Sequence, residues 1–412
     1  MLLEQLELVD FRSYPAVDVP LQPGPNVLVG RNAQGKTNVL EAIYYLATGS
    51  SHRTSSDTPL VRAGQQAAII RAHARTDAGR QVLIEYELRP GGRSRARVGG
   101  QPQSRVRDAI GLLRAVLFAP EDVELVRGDP SGRRRFLDEL LTQRRPAYHA
   151  ARQEYDRVLR QRNALLRSAR GRGASPSATL DTWTDAVVAA GSAVLAARIA
   201  VVHALAGPTA AAYTDLLGGD VGPSAQVQLV YQLSTGRRVV GDSRCGVPDP
   251  SELATELRTG LHERLGAELE RGVTLAGPHR DDLVLSLTDL PAKGYASHGE
   301  TWSLVLALRL ASREVLFEVG DEPVVLLDDV FAELDEQRRE RLAAHCARFG
   351  QVLVTAAVAD DVPLQGPRYA VRDRRIIPPP EIVDSEGGSE GEGGSEGEGE
   401  RQRAGGRGSE DA

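Results

Sequence analysis

The sequence feature that most constrains the fold is a glycine-rich loop, GRNAQGKTNVLEAIYYLATGS, at residues 30–50. Gly30, Gly35, Lys36 and Thr37 satisfy the pattern G-x(4)-G-K-[ST]. A continuous apolar run precedes the loop and apolar residues at helical spacing follow it, so the pattern predicts a buried strand, a phosphate-binding loop and a helix in succession. Such a unit is typical of an α/β fold.

The loop also predicts how the chain holds a nucleotide. Backbone N–H groups of the loop and of the helix N-terminus point at the β-phosphate, the Lys36 ammonium lies near the β- and γ-phosphates, and the Thr37 hydroxyl can bind Mg²⁺. Lys36 and Lys293 are the only lysines among 50 basic residues, so a rare residue stands where a compact ammonium is needed. The expected ATP-binding residues of the loop are Gly30, Arg31, Asn32, Ala33, Gln34, Gly35, Lys36 and Thr37.

A second segment, PVVLLDD, supplies the acids that such a loop needs on a neighbouring strand. Four apolar residues, Val324 to Leu327, precede Asp328 and Asp329. We expect Asp328 to hold Mg²⁺ through water, and Asp329 to orient or deprotonate the attacking water. Many strands end in acids, so this pattern gains its meaning from the segments around it.

A third segment, YASHGETWSLVLALRLASREVLF, lies just before that strand. Ser297 and Glu300 have the spacing of a capping box that opens a long, apolar-periodic helix. The Ser297 hydroxyl and the N–H groups around Gly299 would then form an anion site at the positive end of the helix. We expect Ser297, Gly299 and Glu300 to bind the nucleotide, with Ser297 acting in catalysis. This order of segments is that of ABC-type ATPase heads, in which the helix caps the γ-phosphate held by the opposite subunit.

Acidic charge is concentrated at the C-terminus. The formal net charge is −6, and residues 381–412 carry ten acids against three arginines. This tail is rich in glycine and glutamate and cannot bury enough apolar surface to offset its chain entropy. We therefore predict a disordered acidic tail over residues 378–412.

Basic charge is concentrated in residues 130–172, which carry twelve arginines against four acids. The planar guanidinium binds two phosphate oxygens at once, and aromatic residues are few here, so the zone favours contact with the DNA backbone over base stacking. The alternative is a solvated helix face. The candidates for DNA contact are Arg133, Arg134, Arg135, Arg144 and Arg145.

Other parts of the sequence exclude several classes of protein. The first residues, MLLEQLELVDFRSY, lack the basic start of a signal peptide, and no run of about 18 uncharged apolar residues occurs. We therefore expect a cytoplasmic protein with no membrane partner. Cys245 and Cys346 stand alone, without the spacing of a zinc site, so neither a disulfide nor a cysteine metal site is expected.

The distribution of residue types along the sequence predicts four segments. Short alternating strands dominate residues 1–107, Ala/Leu/Arg-rich helices dominate 108–272, strands return in 273–377, and the tail occupies 378–412. The prediction is an α/β ATPase head, divided between 1–107 and 273–377, with a mainly helical lobe inserted between its two parts.

Together these segments resemble the RecF family of recombination mediators. The resemblance spans roughly residues 1–375 and is carried by GRNAQGKTNVLEAI, SHRTSSD, FAPEDVELVRGDPSGRRRFLDELL, GPHRDDL, YASHGE and LLDDVFAELD. It implies an ATP-dependent DNA-binding protein of gap repair that works with RecR and RecO at junctions of single- and double-stranded DNA, and that helps RecA replace single-strand-binding protein. It also implies a metal acid at Asp328, a second acid at Asp329 and a D-loop over Ala332 to Asp335.

The sequence departs from ABC heads at positions that sense the γ-phosphate. Glu121 and Asp122 stand near the place of the Q-loop glutamine, and Thr355 stands where transporters have a switch histidine. Asp329 is one methylene shorter than the usual glutamate, so the water that it holds lies less favourably. We therefore expect a weak, DNA-stimulated ATPase acting as a switch, in which ATP joins two heads as a symmetric dimer and hydrolysis releases them.

Two alternatives stay open at this point. A transporter-type ABC ATPase subunit would need a membrane permease as its partner. A non-enzymatic DNA scaffold would use the nucleotide only to stabilise its fold, and it would release no phosphate from ATP. The sequence assigns no role to His279 in GPHRDD.

Overall fold

A six-stranded, mostly parallel sheet is the element on which the rest of the chain packs. The computed structural model describes residues 1–54, 56–169, 178–219, 226–242 and 244–379. Within them the strands are β1 Leu2–Phe11, β2 Tyr14–Pro20, β3 Gly24–Val29, β4 Ala68–Arg75, β5 Gln81–Leu88, β6 Arg95–Val98, β7 Gln101–Pro102, β8 Ala115–Phe118, β9 Val227–Gln232, β10 Arg238–Val240, β11 Asp282–Leu287, β12 Leu290–Pro291, β13 Val324–Asp328, β14 Gln351–Ala356, β15 Arg368–Arg372 and β16 Arg375–Ile377. The α-helices are α1 Lys36–Thr48, α2 Glu124–Arg127, α3 Pro130–Arg144, α4 Ala147–Ala169, α5 Ala178–Leu217, α6 Pro250–Arg271, α7 Ala292–Tyr295, α8 His298–Phe317 and α9 Glu336–Cys346.

The order of the central sheet places the predicted nucleotide residues at one edge. Its strands run β16-β15-β3-β14-β13-β8, and all neighbours are parallel except β16 against β15. The carboxyl ends of parallel strands meet at the same edge of a sheet, which is where ligands bind in such folds. The loop after β3 and the acids at the end of β13 therefore lie on the same side, separated by β14.

Each face of this sheet carries its own hydrophobic core, as the alternation along β13 shows. Val325 and Leu327 join the core formed with the long helices α3, α4, α5, α6 and α8. Val324 and Leu326 point the other way, into the core formed with α1 and the strands of the antiparallel sheet. Successive side chains of a strand alternate between its faces, so this uninterrupted apolar strand is buried on both sides.

Two antiparallel sheets complete the fold. The larger has the order β2-β1-β4-β5-β6-β7, and the smaller has the order β10-β9-β11-β12. A tight turn joins β4 to β5: Arg75 pairs with Gln81, and Gly79 has a φ of 81°. The helices expected from the Ala/Leu/Arg-rich stretches are likewise present as α3, α4, α5 and α6.

Strand pairing differs from the predicted segments in two places. β8 falls inside the predicted insertion, yet it pairs with β13 in the central sheet. β11 falls inside the second part of the predicted head, yet it pairs with β9 of the insertion. A short apolar run does not reveal which strand it pairs with. The segment boundaries drawn from composition therefore do not coincide with the pairing of β8 and β11. Met1–Pro379 form one compact unit. The division of this unit into lobes stays a prediction. The part of the predicted tail from residue 380 onward lies outside the described residues.

The helix α5 runs through the middle of the helical part. By length and composition alone, α5 is the one described helix that is long and apolar enough to cross a membrane. Its apolar side chains, among them Val187, Leu195 and Leu205, are buried in the core with α4, α6 and α8. Arg198 of the same helix is fully buried and donates two hydrogen bonds of 2.9 Å to the Asp138 carboxylate of α3. A buried charge of this kind is tolerated because it is paired.

Candidate nucleotide and DNA sites

The glycine loop has the close packing that only glycine permits. Gly35 adopts a φ of 109° and directly precedes α1. A Cβ atom there would lie 2.8 Å from the Tyr14 hydroxyl, so both backbone conformation and space exclude a side chain. At the other end of the loop, a Cβ on Gly30 would lie 2.3 Å from the Val371 carbonyl oxygen. The two glycines of the pattern are thus fixed by the strand β15 and by the turn before β2.

The Lys36 ammonium lies at the centre of this site. Its Nζ donates a hydrogen bond of 2.7 Å to the Gly30 carbonyl and lies 3.9 Å from Oδ2 of Asp329. Only 4% of the Lys36 side chain is exposed. The ammonium therefore spans the loop and faces the second acid, which is the position from which it can contact terminal phosphates.

The Asp328 carboxylate is the link between the loop and the acidic strand. Its Oδ1 accepts hydrogen bonds from the hydroxyls of Thr37, at 3.0 Å, and Thr355, at 2.7 Å. Burial raises the pKa of Asp328, and the negative charges of Asp329 and Glu121 raise it further, although the two hydroxyls lower it. Asp328, Asp329 and Glu121 therefore form a cluster of negative charge, and no cation among the described residues neutralises all of that charge.

This donor set fits Mg²⁺. A hydroxyl oxygen from Thr37 and carboxylate oxygens from Asp328 are hard ligands, and Mg²⁺ in nucleotide sites takes one or two of them together with phosphates and water. Bound there, the ion would neutralise charge on the β- and γ-phosphates. The protein's own part is to hold both ligands in register, which the bond from Thr37 to Asp328 does.

Thr355, which stands where transporters have a switch histidine, holds both acids of the site in place. Asp329 has a left-handed backbone, with a φ of 51°, and its N–H donates a hydrogen bond of 2.9 Å to Thr355 Oγ1. One hydroxyl from β14 thus fixes the side chain of Asp328 and the backbone of Asp329. About a third of the Asp329 side chain is exposed, so its carboxylate can reach a water beside the phosphates.

The two acids near the predicted Q-loop position behave differently from each other. Asp122 is buried, and its carboxylate accepts hydrogen bonds of 3.0 Å and 2.5 Å from the Arg309 guanidinium of α8. Glu121 is exposed and near enough to raise the pKa of Asp328. Asp122 therefore anchors α8 to the end of β8, and Glu121 is the residue of the pair that faces the nucleotide site.

The predicted capping box is present at the start of α8. The Glu300 N–H donates to Ser297 Oγ at 3.3 Å, and Glu300 Oε2 accepts from the Ser297 N–H at 2.8 Å and from its hydroxyl at 2.7 Å. These hydrogen bonds lower the pKa of Glu300. Ser297 and Glu300 are exposed, and within the described residues their hydrogen bonds stay inside this helix start. The structure does not bring them into contact with Lys36 or Thr37 of the same chain.

Arg338 joins this helix start to the predicted D-loop, a link that the sequence pattern does not reveal. Its guanidinium lies against Gly299, where an added Cβ would come within 2.9 Å of it. Its Nε donates a hydrogen bond of 2.8 Å to Ser303 Oγ, and its backbone N–H caps onto Asp335 at 2.9 Å. Movement of the D-loop would therefore move the exposed helix start with it.

The structure removes Arg133 from the DNA candidates. Its side chain is 6% exposed, and its guanidinium donates to both oxygens of Asp282, at 2.7 Å and 2.9 Å. Such a buried pair is a structural contact, because separating it would leave a desolvated charge. The interpretation of Arg133 as a phosphate contact is therefore wrong, and its partner, 149 residues away in sequence, was not visible in the pattern.

The other four arginines differ in availability. Arg134 is half-buried, donates to the Asp281 carbonyl at 2.7 Å, and has a pKa lowered by burial. Arg135 pairs with Glu139 at 2.8 Å, and Arg144 pairs with Glu318 at 3.2 Å. Arg145 is exposed. These four stay candidates, and Arg145 forms no ion pair within the described residues.

The GPHRDD segment acts as a brace between β11 and the helices. His279 Nδ1 lies 2.6 Å from the Tyr155 hydroxyl of α4, and its Nε2 lies 3.1 Å from the Thr274 carbonyl. Burial lowers the pKa of His279 to about 4, so this ring is neutral near pH 7. Of the two acids that follow it, the Asp282 carboxylate accepts from Arg133 of α3, whereas the Asp281 carboxylate accepts from the Tyr231 hydroxyl and the Ser234 N–H.

The fold and the site define a class of protein: an ABC-type P-loop ATPase head. The model of the RecF/RecN/SMC N terminal domain matches residues 2–363. The DNA replication and repair protein RecF of Streptomyces avermitilis is 51% identical over 381 residues, which cover 90% of this chain and 98% of that protein. RecF of Frankia alni is 52% identical over 377 residues, with 90% and 98% covered. The chain belongs to the RecF family.

Solved structures agree with this assignment. The recombination mediator protein RecF-ATPrS of the RecFOR pathway superposes with a TM-score of 0.82 at 25% identity, covering 92% of this chain and 98% of that one. RecF-ATP gives the same TM-score and identity, with 91% and 97% covered. An Smc head bound to the C-winged helix domain of ScpA shares the fold, with a TM-score of 0.51, 16% identity, and 92% and 97% covered.

Proposed function

We propose that this chain is an ATP-binding, DNA-binding recombination mediator of gap repair. The observation that carries the proposal is the hydrogen bond from Thr37 of the phosphate loop to Asp328 on a separate strand, which assembles a metal-nucleotide site from two distant segments. Relatives that are about half identical are DNA replication and repair proteins named RecF, and similar structures are described with ATP. Neither a transporter subunit nor a purely structural nucleotide site is favoured by this combination.

In the proposed reaction the chain's residues have separate tasks. The loop and Lys36 hold the β- and γ-phosphates, Thr37 and Asp328 hold Mg²⁺, and Asp329 orients the water that attacks the γ-phosphate. Asp329 limits the rate in this proposal, because its side chain is short and its Oδ2 lies 3.9 Å from Nζ of Lys36. We propose slow, DNA-stimulated hydrolysis, because a short carboxylate holds the water less favourably, and such a rate suits a timed switch.

The proposed switch is a dimer held together by ATP. The loop side of the site is formed within one chain, whereas the helix start at Ser297 is exposed and forms no described contact with that chain's own loop. A second copy related by a twofold axis would place its Ser297 helix over the γ-phosphate, and the reverse contact would follow by symmetry. Hydrolysis would remove the shared anion and release the pair.

Phosphate release from radiolabelled ATP, with and without junction DNA, tests the activity. We expect slow release that rises with DNA and falls about 30-fold in the Asp329→Asn variant. A wild-type protein that binds ATP and DNA but releases no phosphate would support the scaffold alternative. Cytoplasmic location and the pathway partners RecR, RecO and RecA are part of the same proposal, and capture of purified RecR in the presence of ATP and DNA is its test.

A further inference from the structure

The edge of the larger antiparallel sheet carries a dense group of arginines outside the predicted basic zone. Residues 88–107, LRPGGRSRARVGGQPQSRVR, contain no acid. We call this segment the arginine edge, and its six arginines are Arg89, Arg93, Arg95, Arg97, Arg105 and Arg107. It includes β6 and β7, the last two strands of the sheet, so one side of it faces solvent instead of another strand.

Three of these six guanidinium groups, those of Arg93, Arg97 and Arg105, form no ion pair within the described residues, and Arg107 lies 3.9 Å from Asp108. The Glu87 carboxylate forms an ion pair of 2.5 Å with Arg89 and lies 3.8 Å from the Arg95 guanidinium. Arg93 donates to a backbone carbonyl, that of Ser104, at 2.8 Å. Within the described part of the chain neither Arg97 nor Arg105 forms an ion pair, and both are exposed. This is the opposite of Arg133, whose charge is fully occupied inside the protein.

A groove beside the edge extends the basic surface inward. A cavity of about 620 Å³ is lined by Arg93, Arg105, Arg107 and by Gly49 at the end of α1. Its single lining acid, Asp57, is already hydrogen-bonded by the hydroxyls of Tyr45, at 3.0 Å, and Ser94, at 3.3 Å.

The groove continues toward the predicted arginine zone. An adjacent cavity of about 540 Å³ shares Gly49 and His149 with the first, and it contains Arg134, Arg135 and Arg152. The two cavities therefore adjoin at Gly49 and His149, and the second is also lined by the acids Asp138 and Glu139.

The spacing and chemistry of the edge fit a nucleic-acid backbone. Arg95 and Arg97 project from the same face of β6, about 7 Å apart along the strand. Each strand of duplex DNA carries one phosphate per roughly 3.4 Å of helix axis, so neighbouring arginines can each reach one. The arginine edge contains no aromatic residue on which an unpaired base could stack. Contact with a duplex backbone, independent of base sequence, is the recognition that this chemistry supports.

We propose that the arginine edge, with the groove beside it, is a principal surface by which this protein grips duplex DNA. The proposal rests on the DNA-binding function proposed above and assigns that function a location. It assigns the arginines of α3 a secondary role at the inner end of the groove.

The test compares two triple variants that remove the same charge. The first is Arg93→Gln/Arg95→Gln/Arg97→Gln on the arginine edge, and the control is Arg244→Gln/Arg258→Gln/Arg271→Gln, in and before α6. Affinity for a fluorescent 30-base-pair duplex is measured over a range of salt concentrations, and ATP affinity serves as the check that each variant folds.

We expect the edge variant to bind the duplex at least tenfold more weakly, and the slope of log affinity against log salt to fall by about three, one for each phosphate that is no longer neutralised. The control variant should keep the wild-type slope. An edge variant with the wild-type slope would overturn the location and leave DNA binding intact. A wild-type protein that does not bind the duplex at all would instead overturn the proposed function, so the two failures are distinct.

Discussion

The two halves of the proposed nucleotide site differ in how far one chain completes them. The loop half is closed by internal contacts: Lys36 is bonded across its own loop, and Thr37 and Thr355 both bond to Asp328. The helix half at Ser297 is exposed, and the N–H groups of the first turn beyond its cap have no acceptor inside the helix. The loop half is thus assembled within one chain, whereas the helix half has the exposure that the proposed dimer requires.

The largest effect should come from the loop half. Lys36→Ala removes the charge that faces the phosphates, so we expect about a 100-fold loss of ATP affinity, since contacts to charged groups are worth up to about 3 kcal/mol. Calorimetry with ATP and Mg²⁺ measures it. Lys293→Ala is a matched control, because Lys293 is the chain's other lysine and its ammonium contacts the Gly128 carbonyl on the surface. Equal affinity losses in the two variants would remove Lys36 from the site.

Asp329→Asn should separate binding from hydrolysis. The amide keeps the shape but cannot accept a proton from water, so we expect about a 30-fold slower release of phosphate, below the usual range for a general base because this carboxylate is poorly placed. ATP affinity should change less than about twofold. The exposed Asp181→Asn variant is the control. Unchanged release in Asp329→Asn would show that another group activates the water.

Thr355→Ala should have the smallest effect on the loop half. It removes the hydrogen bonds that hold Asp328 and the Asp329 backbone, worth about 1 kcal/mol, so we expect hydrolysis to slow about fivefold. Thr355→Ser keeps the hydroxyl and should recover most of the rate. Failure of serine to rescue would mean that the methyl group, and not the hydroxyl, matters there.

The same two halves show what the sequence could and could not predict. Gly35, Lys36 and the capping box of Ser297 and Glu300 were predictable because their spacing encodes backbone geometry within a few residues. The meeting of Thr37 with Asp328 followed from the rule that parallel strands end at one edge. The bond from Thr355 could not be foreseen, since it depends on the register of β14 beside β13.

Charge was the property that sequence reasoning predicted least well. Counting arginines over residues 130–172 pointed to α3, but Arg133 and Arg162 of that zone are buried against acids that lie far away in the chain. The segment 88–107 has fewer arginines, yet it lacks acids and ends a sheet. We therefore propose this segment because it is an exposed sheet edge without acids, and not because of its number of arginines.

The most direct test of the account is the ATP-dependent mass of the Ser297→Arg variant by light scattering, made in the Asp329→Asn background to prevent hydrolysis. The added guanidinium would occupy the position intended for a partner's γ-phosphate. We predict a dimer for the background protein and for Ser297→Thr, and a monomer with unchanged ATP affinity for Ser297→Arg. A Ser297→Arg protein that dimerises with ATP as fully as its background would contradict the claim that two copies share the nucleotide.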